Sequence, residues 1–142
     1  MNINILLVDD EKEFTEVLSE RMEARGFKVE VADSGPAAIE KVKEQSYDAI
    51  ILDLAMPEMD GIDVLKFLLK ENPDLQILFL TGHATLEKGV EAVKLGAVDF
   101  MEKPVDIDTL IEKVNDAKTK RDLLSEKKSE KDIKDIMKKK GW

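Results

Sequence analysis

Five short apolar runs alternate with five stretches of helical periodicity along the first 116 residues, and this alternation predicts an α/β fold with a doubly wound five-stranded parallel sheet. Two further observations support that class. The run 49–54 is apolar on both faces apart from one aspartate, as expected of a strand sandwiched between layers of helices. Glycine or proline also punctuates most junctions where one period gives way to the other.

The elements follow in order. Asn4 to Val8 forms an apolar strand that stops at Asp9-Asp10, and from Lys12 the spacing of Phe14, Val17, Leu18 and Met22 is helical, closed by Gly26. Lys28 to Ala32 alternates as a strand. Ser34 then offers an N-cap and Pro36 an early-turn proline before the stripe of Ala38, Ile39 and Val42. Ala49 to Leu54 is the expected centre of the sheet. Val64, Leu65, Leu68 and Leu69 make the next helix, which Asn72-Pro73 ends, and Gln76 to Leu80 is the fourth strand. Leu86, Val90 and Val93 return to helical spacing with Gly96 as terminator. Val98 to Met101 is a brief fifth strand, and beyond Pro104 the residues Leu110, Ile111, Val114 and Ala117 open a fifth helix.

Composition narrows the chemistry. A chain of 142 residues with 43% apolar content fits one domain of ordinary size. No run approaches the roughly 20 apolar residues of a membrane span, and the first residues lack the pattern of a secretory signal, so a cytoplasmic location is expected. The absence of cysteine excludes thiolate catalysis and thiolate metal sites. A single histidine, His83, excludes a multi-histidine centre, so a bound metal must be held by oxygen. The net charge of −9 conceals an asymmetry: residues 117–142 carry ten Lys/Arg against five Asp/Glu, a net of +5, which leaves −14 on the rest. An acidic body disfavours direct nucleic-acid binding by the folded domain.

In open parallel sheets the site lies beyond the carboxyl ends of the strands, where strand order reverses. At those ends stand Asp9 and Asp10, Asp53, Thr81, and Lys103-Pro104. With strands one and three as neighbours, about 4.8 Å apart, Asp10 and Asp53 are close enough to share one ion. Unneutralised, two such charges ~4 Å apart cost roughly 4 kcal/mol at an effective dielectric near 20. Lys103 supplies one cation, and the oxygen-only set suits Mg²⁺ or Mn²⁺. An aspartate beside a divalent cation and a lysine is placed to attack phosphorus, giving an acyl phosphate. On this reading Asp53 is the nucleophile, and Thr81 and Lys103 contact phosphoryl oxygens. Asp10, Asp53 and the backbone carbonyl of Ala55 bind the metal directly, and Asp9 binds it through water. Each residue alone also has a structural role: Asp9-Asp10 favours a helix N-terminus, Thr81 caps a turn, and 56–61 reads as an ordinary turn. A carboxylate inside the apolar run at Asp53 is the hardest to explain that way.

These motifs resemble the receiver domain of bacterial two-component response regulators over residues 1–118. The match comprises Leu-Leu-Val-Asp-Asp at 6–10, Asp-Leu-Ala-Met-Pro-Glu-Met-Asp-Gly at 53–61, Thr-Gly-His at 81–83 and Gly-Ala-Val-Asp-Phe-Met-Glu-Lys-Pro at 96–104. The resemblance implies the flavodoxin-like strand order 2-1-3-4-5, of which a chemotaxis receiver is a familiar example. It implies that Asp53 accepts a phosphoryl group from a histidine kinase or histidine phosphotransfer protein, with Asp9, Asp10 and Mg²⁺ assisting. Such a protein is not a conventional enzyme; it catalyses its own phosphorylation and autodephosphorylation. Thr81 and Phe100 fall at the family's switch positions and reshape the face made by helix four, strand five and helix five, through which receivers control a partner or form a homodimer. The resemblance also implies a cis Lys103–Pro104 peptide, and it places Ala55 and His83 where they flank the phosphoryl group.

Other classes fit less well. A phosphatase of the haloacid-dehalogenase type needs a second aspartate two positions after its nucleophile, where this chain has Ala55. A nucleotide or flavin binder needs a phosphate-cradling loop after strand one, and Asp9-Asp10-Glu11 would repel phosphate. A phosphorylation-independent interaction module is the remaining alternative. Beyond the domain, residues 119–142 form a basic extension. Leu110, Val114, Ala117, Arg121 and Leu124 keep four-three spacing, the stripe breaks at Lys128 and Lys131, and Ile133, Ile136 and Met137 restore it for one turn. The extension reads as a solvated helical or disordered linker. Its charge also suits docking on the acidic body or on a partner.

Overall fold

The computed structural model describes residues 3–54, 56, 60–82 and 86–139. Five strands and five helices alternate: β1 (Asn4–Val8), α1 (Lys12–Ala24), β2 (Lys28–Ala32), α2 (Gly35–Glu44), β3 (Ala49–Asp53), α3 (Gly61–Glu71), β4 (Ile77–Thr81), α4 (Leu86–Lys94), β5 (Asp99–Glu102) and α5 (Ile107–Lys139). All strand pairs are parallel, in the order β2-β1-β3-β4-β5. The chain therefore enters at β1, winds out to β2, then reverses through β3 to β5. That reversal puts the carboxyl ends of β1 and β3 side by side, with Val8 in register with Leu52.

Alternation along each strand divides the core in two. Leu6, Val8, Ile50, Leu52, Ile77 and Phe79 pack under α2 and α3. Ile5, Leu7, Ile51, Leu78 and Leu80 face Leu18 and Met22 of α1 and Leu110, Val114 and Ala117 of α5. The central strands are buried on both sides, which accounts for their continuous apolar sequence. Local signals act as the sequence predicts. Ser34 accepts the Ala37 N–H at 3.2 Å, and Gly26 and Gly96 end their helices at φ of 94° and 118°. β4 and β5 each sit one residue later than the apolar runs alone suggest. Gln76 and Val98 still form ladder bonds, Ile50 N–H to Gln76 O and Val98 N–H to Ile77 O, both 2.8 Å.

Helix α5 continues without a break to Lys139, 33 residues or about 50 Å, and Ala117 is its last fully buried residue. Its exit is anchored at Asp48, which precedes β3 and is buried. One carboxylate oxygen accepts the Asn4 N–H at 2.8 Å; the other accepts from Arg121 at 2.7 Å and lies 3.3 Å from the Lys118 amine. This explains a polar residue at a position of the apolar stripe: Arg121 reaches back to pair with a buried carboxylate. Burial pushes the Asp48 carboxyl upward, but the Asn4 amide and the Lys118 and Arg121 charges outweigh it and hold the group below its ordinary value.

A carboxylate with a depressed folded pKa contributes stability that is present above the unfolded value and is lost as pH falls through the folded one. Asp48→Asn is therefore expected to cost about 1–2 kcal/mol at neutral pH. The difference from the parent should shrink as pH falls below 3.8. Urea unfolding of both proteins at pH 7 and near pH 3 checks this.

Candidate functional site

Every polar residue expected at the strand ends lies at the carboxyl edge of the sheet. Asp9 follows β1, Asp53 ends β3, Thr81 ends β4 and Lys103 follows β5. Asp9, Asp10 and Asp53 each offer an oxygen within 4.8 Å of the others; Asp9 and Asp53 are buried and Asp10 is exposed. The spacing suits a single oxygen-coordinated cation reached from the solvent side past Asp10. Ala55 and His83 lie outside the described residues, as does the Thr81 hydroxyl; the Thr81 backbone pairs with Glu102.

Lys103 organises this cluster. Its amine donates to Asp9 Oδ2 at 2.7 Å and to Glu11 Oε1 at 3.0 Å, and stands 3.9 Å from Asp53 Oδ2. The Lys103–Pro104 peptide that follows is cis, as the motif implies. The ammonium also lies over the Phe14 ring, 4.1 Å from its centroid, a cation–π contact that orients it from the α1 side. Burial works against the Lys103 charge, yet the hydrogen bonds to Asp9 and Glu11 and the field of Asp53 prevail, so its pKa lies above the ordinary value.

The two buried aspartates are engaged differently. Asp9 gives one oxygen to Lys103 and the other to the Glu11 N–H at 2.9 Å, and its own amide donates to Ala32 O at 3.1 Å. It is a fixed positioning group. Asp53 stands 3.9 Å from the ammonium, at the end of the central strand. Gly61 opens α3 with its N–H on Leu54 O at 2.9 Å, and a Cβ there would come within 2.4 Å of Asp53 O and 2.8 Å of Leu54 Cα. Only glycine lets α3 start so close to the Asp53 backbone. Asp60, read from the sequence as part of a plain turn, caps this helix by accepting the Asp63 N–H at 3.0 Å.

Phe100 is half-buried on β5 and packs against α4. A Cβ at Gly89 would fall 2.6 Å from the ring, so the aromatic face rests on bare helix backbone. Sequence reasoning missed Gly89, and it also missed the roles of Glu11 and Phe14. Glu11 read as part of an acidic run that repels phosphate and Phe14 as part of a helical stripe, because their partner is 92 and 89 residues away.

The donor set is all oxygen and partly open, and it fits Mg²⁺ or Mn²⁺. A cation that binds only the folded state stabilises it by about 2.7 kcal/mol at a hundredfold excess over its dissociation constant. Magnesium is thus expected to raise the melting temperature by roughly 5–10 °C. Asp10→Asn should abolish most of that rise while melting no lower than the parent in chelator, because it relieves repulsion. Thermal melts with magnesium and with EDTA check both expectations.

Comparison with known proteins agrees with this geometry. The family model described as the response regulator receiver domain matches residues 5–115. Over 109 residues the chain is 41% identical to the transcriptional regulatory protein ZraR of Escherichia coli strain K12, covering 77% of this chain and 25% of that protein. The chain thus spans about a quarter of that relative's length. Among solved structures it resembles the receiver domain of the Francisella response regulator 1452, with TM-score 0.78 and 33% identity, covering 83% of this chain and 98% of that one. It is also similar to a response regulator receiver domain protein of Clostridium thermocellum, with TM-score 0.82 and 31% identity, covering 86% and 98%. With its acidic triad, its central aspartate and its lysine before a cis proline at the ends of a 2-1-3-4-5 sheet, this chain belongs to the response regulator receiver domain family of two-component signalling.

Proposed function

We propose that residues 1–118 form a phosphoacceptor unit in which Asp53 takes a phosphoryl group from a phosphohistidine and so switches the face formed by α4, β5 and the first turns of α5. The observation that carries this reading is the buried Asp53 carboxylate beside Lys103, within 4.8 Å of two further aspartates. In the reaction a carboxylate oxygen of Asp53 attacks phosphorus in line. The bond from phosphorus to the donor imidazole nitrogen breaks, and its electron pair stays on the imidazole, which takes up a proton. On this reading Lys103 pairs with a phosphoryl oxygen as charge builds on the transferring group, and the Thr81 hydroxyl donates to another. Asp9 keeps Lys103 in position, and Asp9, Asp10, Asp53 and the Ala55 carbonyl are the groups that would hold Mg²⁺. A bound Mg²⁺ supplies the charge that lets an anionic carboxylate meet an anionic phosphoryl group.

An open cleft reaches Lys103, lined also by Glu11, Phe14, Val17, Arg21 and Pro104, and is the candidate seat for a partner helix. Val17 is half-exposed there, an apolar anchor next to polar residues. The output side rests on Phe100 against Gly89, together with the exposed Val90 and Val93 of α4. A change in Phe100 packing would be felt along α4 directly, and a coupling of about 1–3 kcal/mol would suffice to shift its population. The same face is the candidate surface for a downstream partner or a phosphorylation-dependent homodimer.

Incubation with acetyl phosphate and magnesium is expected to add about 80 Da to the intact mass, one phosphoryl group per chain. Asp53→Ala and chelation should each abolish the adduct. An adduct that survives both would put the phosphoryl group on another residue and overturn this reading; no adduct, where a reference receiver labels and beryllofluoride fails to bind, would favour a phosphorylation-independent interaction module.

A further inference from the structure

The second half of α5 is exposed, and one row of lysines runs along it between Glu130 on one side and Asp135 on the other. Lys127, Lys131, Lys134 and Lys138 recur at intervals of four, three and four, forming one row along three turns of an exposed helix. Lysines so spaced repel one another, and none of the four has a carboxylate within ion-pairing distance among the described residues. Helix α1 carries the opposite row. Glu13, Glu16, Glu20 and Glu23 recur at intervals of three, four and three on its exposed face, and these too form no ion pair among the described residues. The rows match in length, about 16 Å against 15 Å at the helical rise, so all four lysines can meet the four glutamates within side-chain reach.

Helix α5 is one continuous helix from its anchor at Asp48 to Lys139, so its distal part cannot fold back onto α1 of its own chain without breaking. We propose that the distal part of α5 docks along α1 of a second copy of this chain, lysine row on glutamate row. A two-fold axis makes the contact reciprocal, each copy lending its extension to the other's α1. Neutralising the like-charged rows relieves both helices, and the contact is electrostatic, so it weakens with salt. It also brings the extension of one copy beside the cleft that holds Phe14, Val17 and Arg21 on the other.

Sedimentation velocity of the full chain over a concentration series tests this. A dimer is expected in 20 mM salt, with a dissociation constant at least about tenfold higher in 500 mM salt. Reversing the tail row (K127E, K131E, K134E, K138E) or the α1 row (E13K, E16K, E20K, E23K) should each give a monomer in low salt, and an equimolar mixture of the two variants should restore a dimer. The neutral tail variant with four Lys→Gln changes, checked for helix content by circular dichroism, should also weaken association if the reversed chains fold poorly. A wild-type monomer throughout, or a dimer indifferent to both the reversed and the neutral rows, overturns the proposal. So does a wild-type chain that stays monomeric while its lysine row binds anionic vesicles or duplex DNA.

Discussion

The structure turns on the mutual repulsion of carboxylates held together at the end of a parallel sheet. Asp9, Asp10 and Asp53 converge because β1 and β3 are neighbours, and β1 and β3 are neighbours because the strand order reverses between them. One lysine offsets part of that charge. Lys103 arrives from β5, beyond β4, and is steered by Phe14 and Glu11 of the α1 side, so both layers of the fold are committed to placing a single ammonium. The remaining excess of negative charge is what would draw a divalent cation to the site and, on the proposed function, a phosphoryl group with it.

Commitment of this kind distinguishes carboxylates that are chemically alike. Asp9 is held on both oxygens by Lys103 and the Glu11 amide, Asp10 faces solvent, and Asp53 sits between the buried sheet and the cluster. Backbone packing supports the difference, since α3 begins at Gly61 directly against the Asp53 carbonyl and leaves that strand end little freedom. The contact of β5 with α4 shows the same economy: Phe100 lies on the bare backbone of Gly89, so the ring and α4 are in contact with no side chain between them.

Much of this was legible in the sequence, for a physical reason. Strands buried on both faces must be continuously apolar, so Asp53 in such a run, and polar residues closing the other runs, mark the site without reference to contacts. Ser34, Gly26 and Gly96 announce helix ends because capping is local chemistry. The strand order came from family resemblance, since periodicity carries no information on which strands pair. Partners distant in sequence stayed hidden. Glu11 and Phe14 toward Lys103, Gly89 toward Phe100, and Arg121 toward Asp48 depend on tertiary contact, and each residue has an adequate local reading that conceals it.

The central claim is that this environment selects Asp53, among three clustered aspartates, as the one that forms an acyl phosphate. Borohydride reduction of the protein after phosphorylation by a small-molecule donor converts an aspartyl phosphate to homoserine, which peptide mass spectrometry locates to one position. The account predicts homoserine at position 53 and unmodified aspartate at 9 and 10; homoserine at 9 or 10 in place of 53 would contradict it.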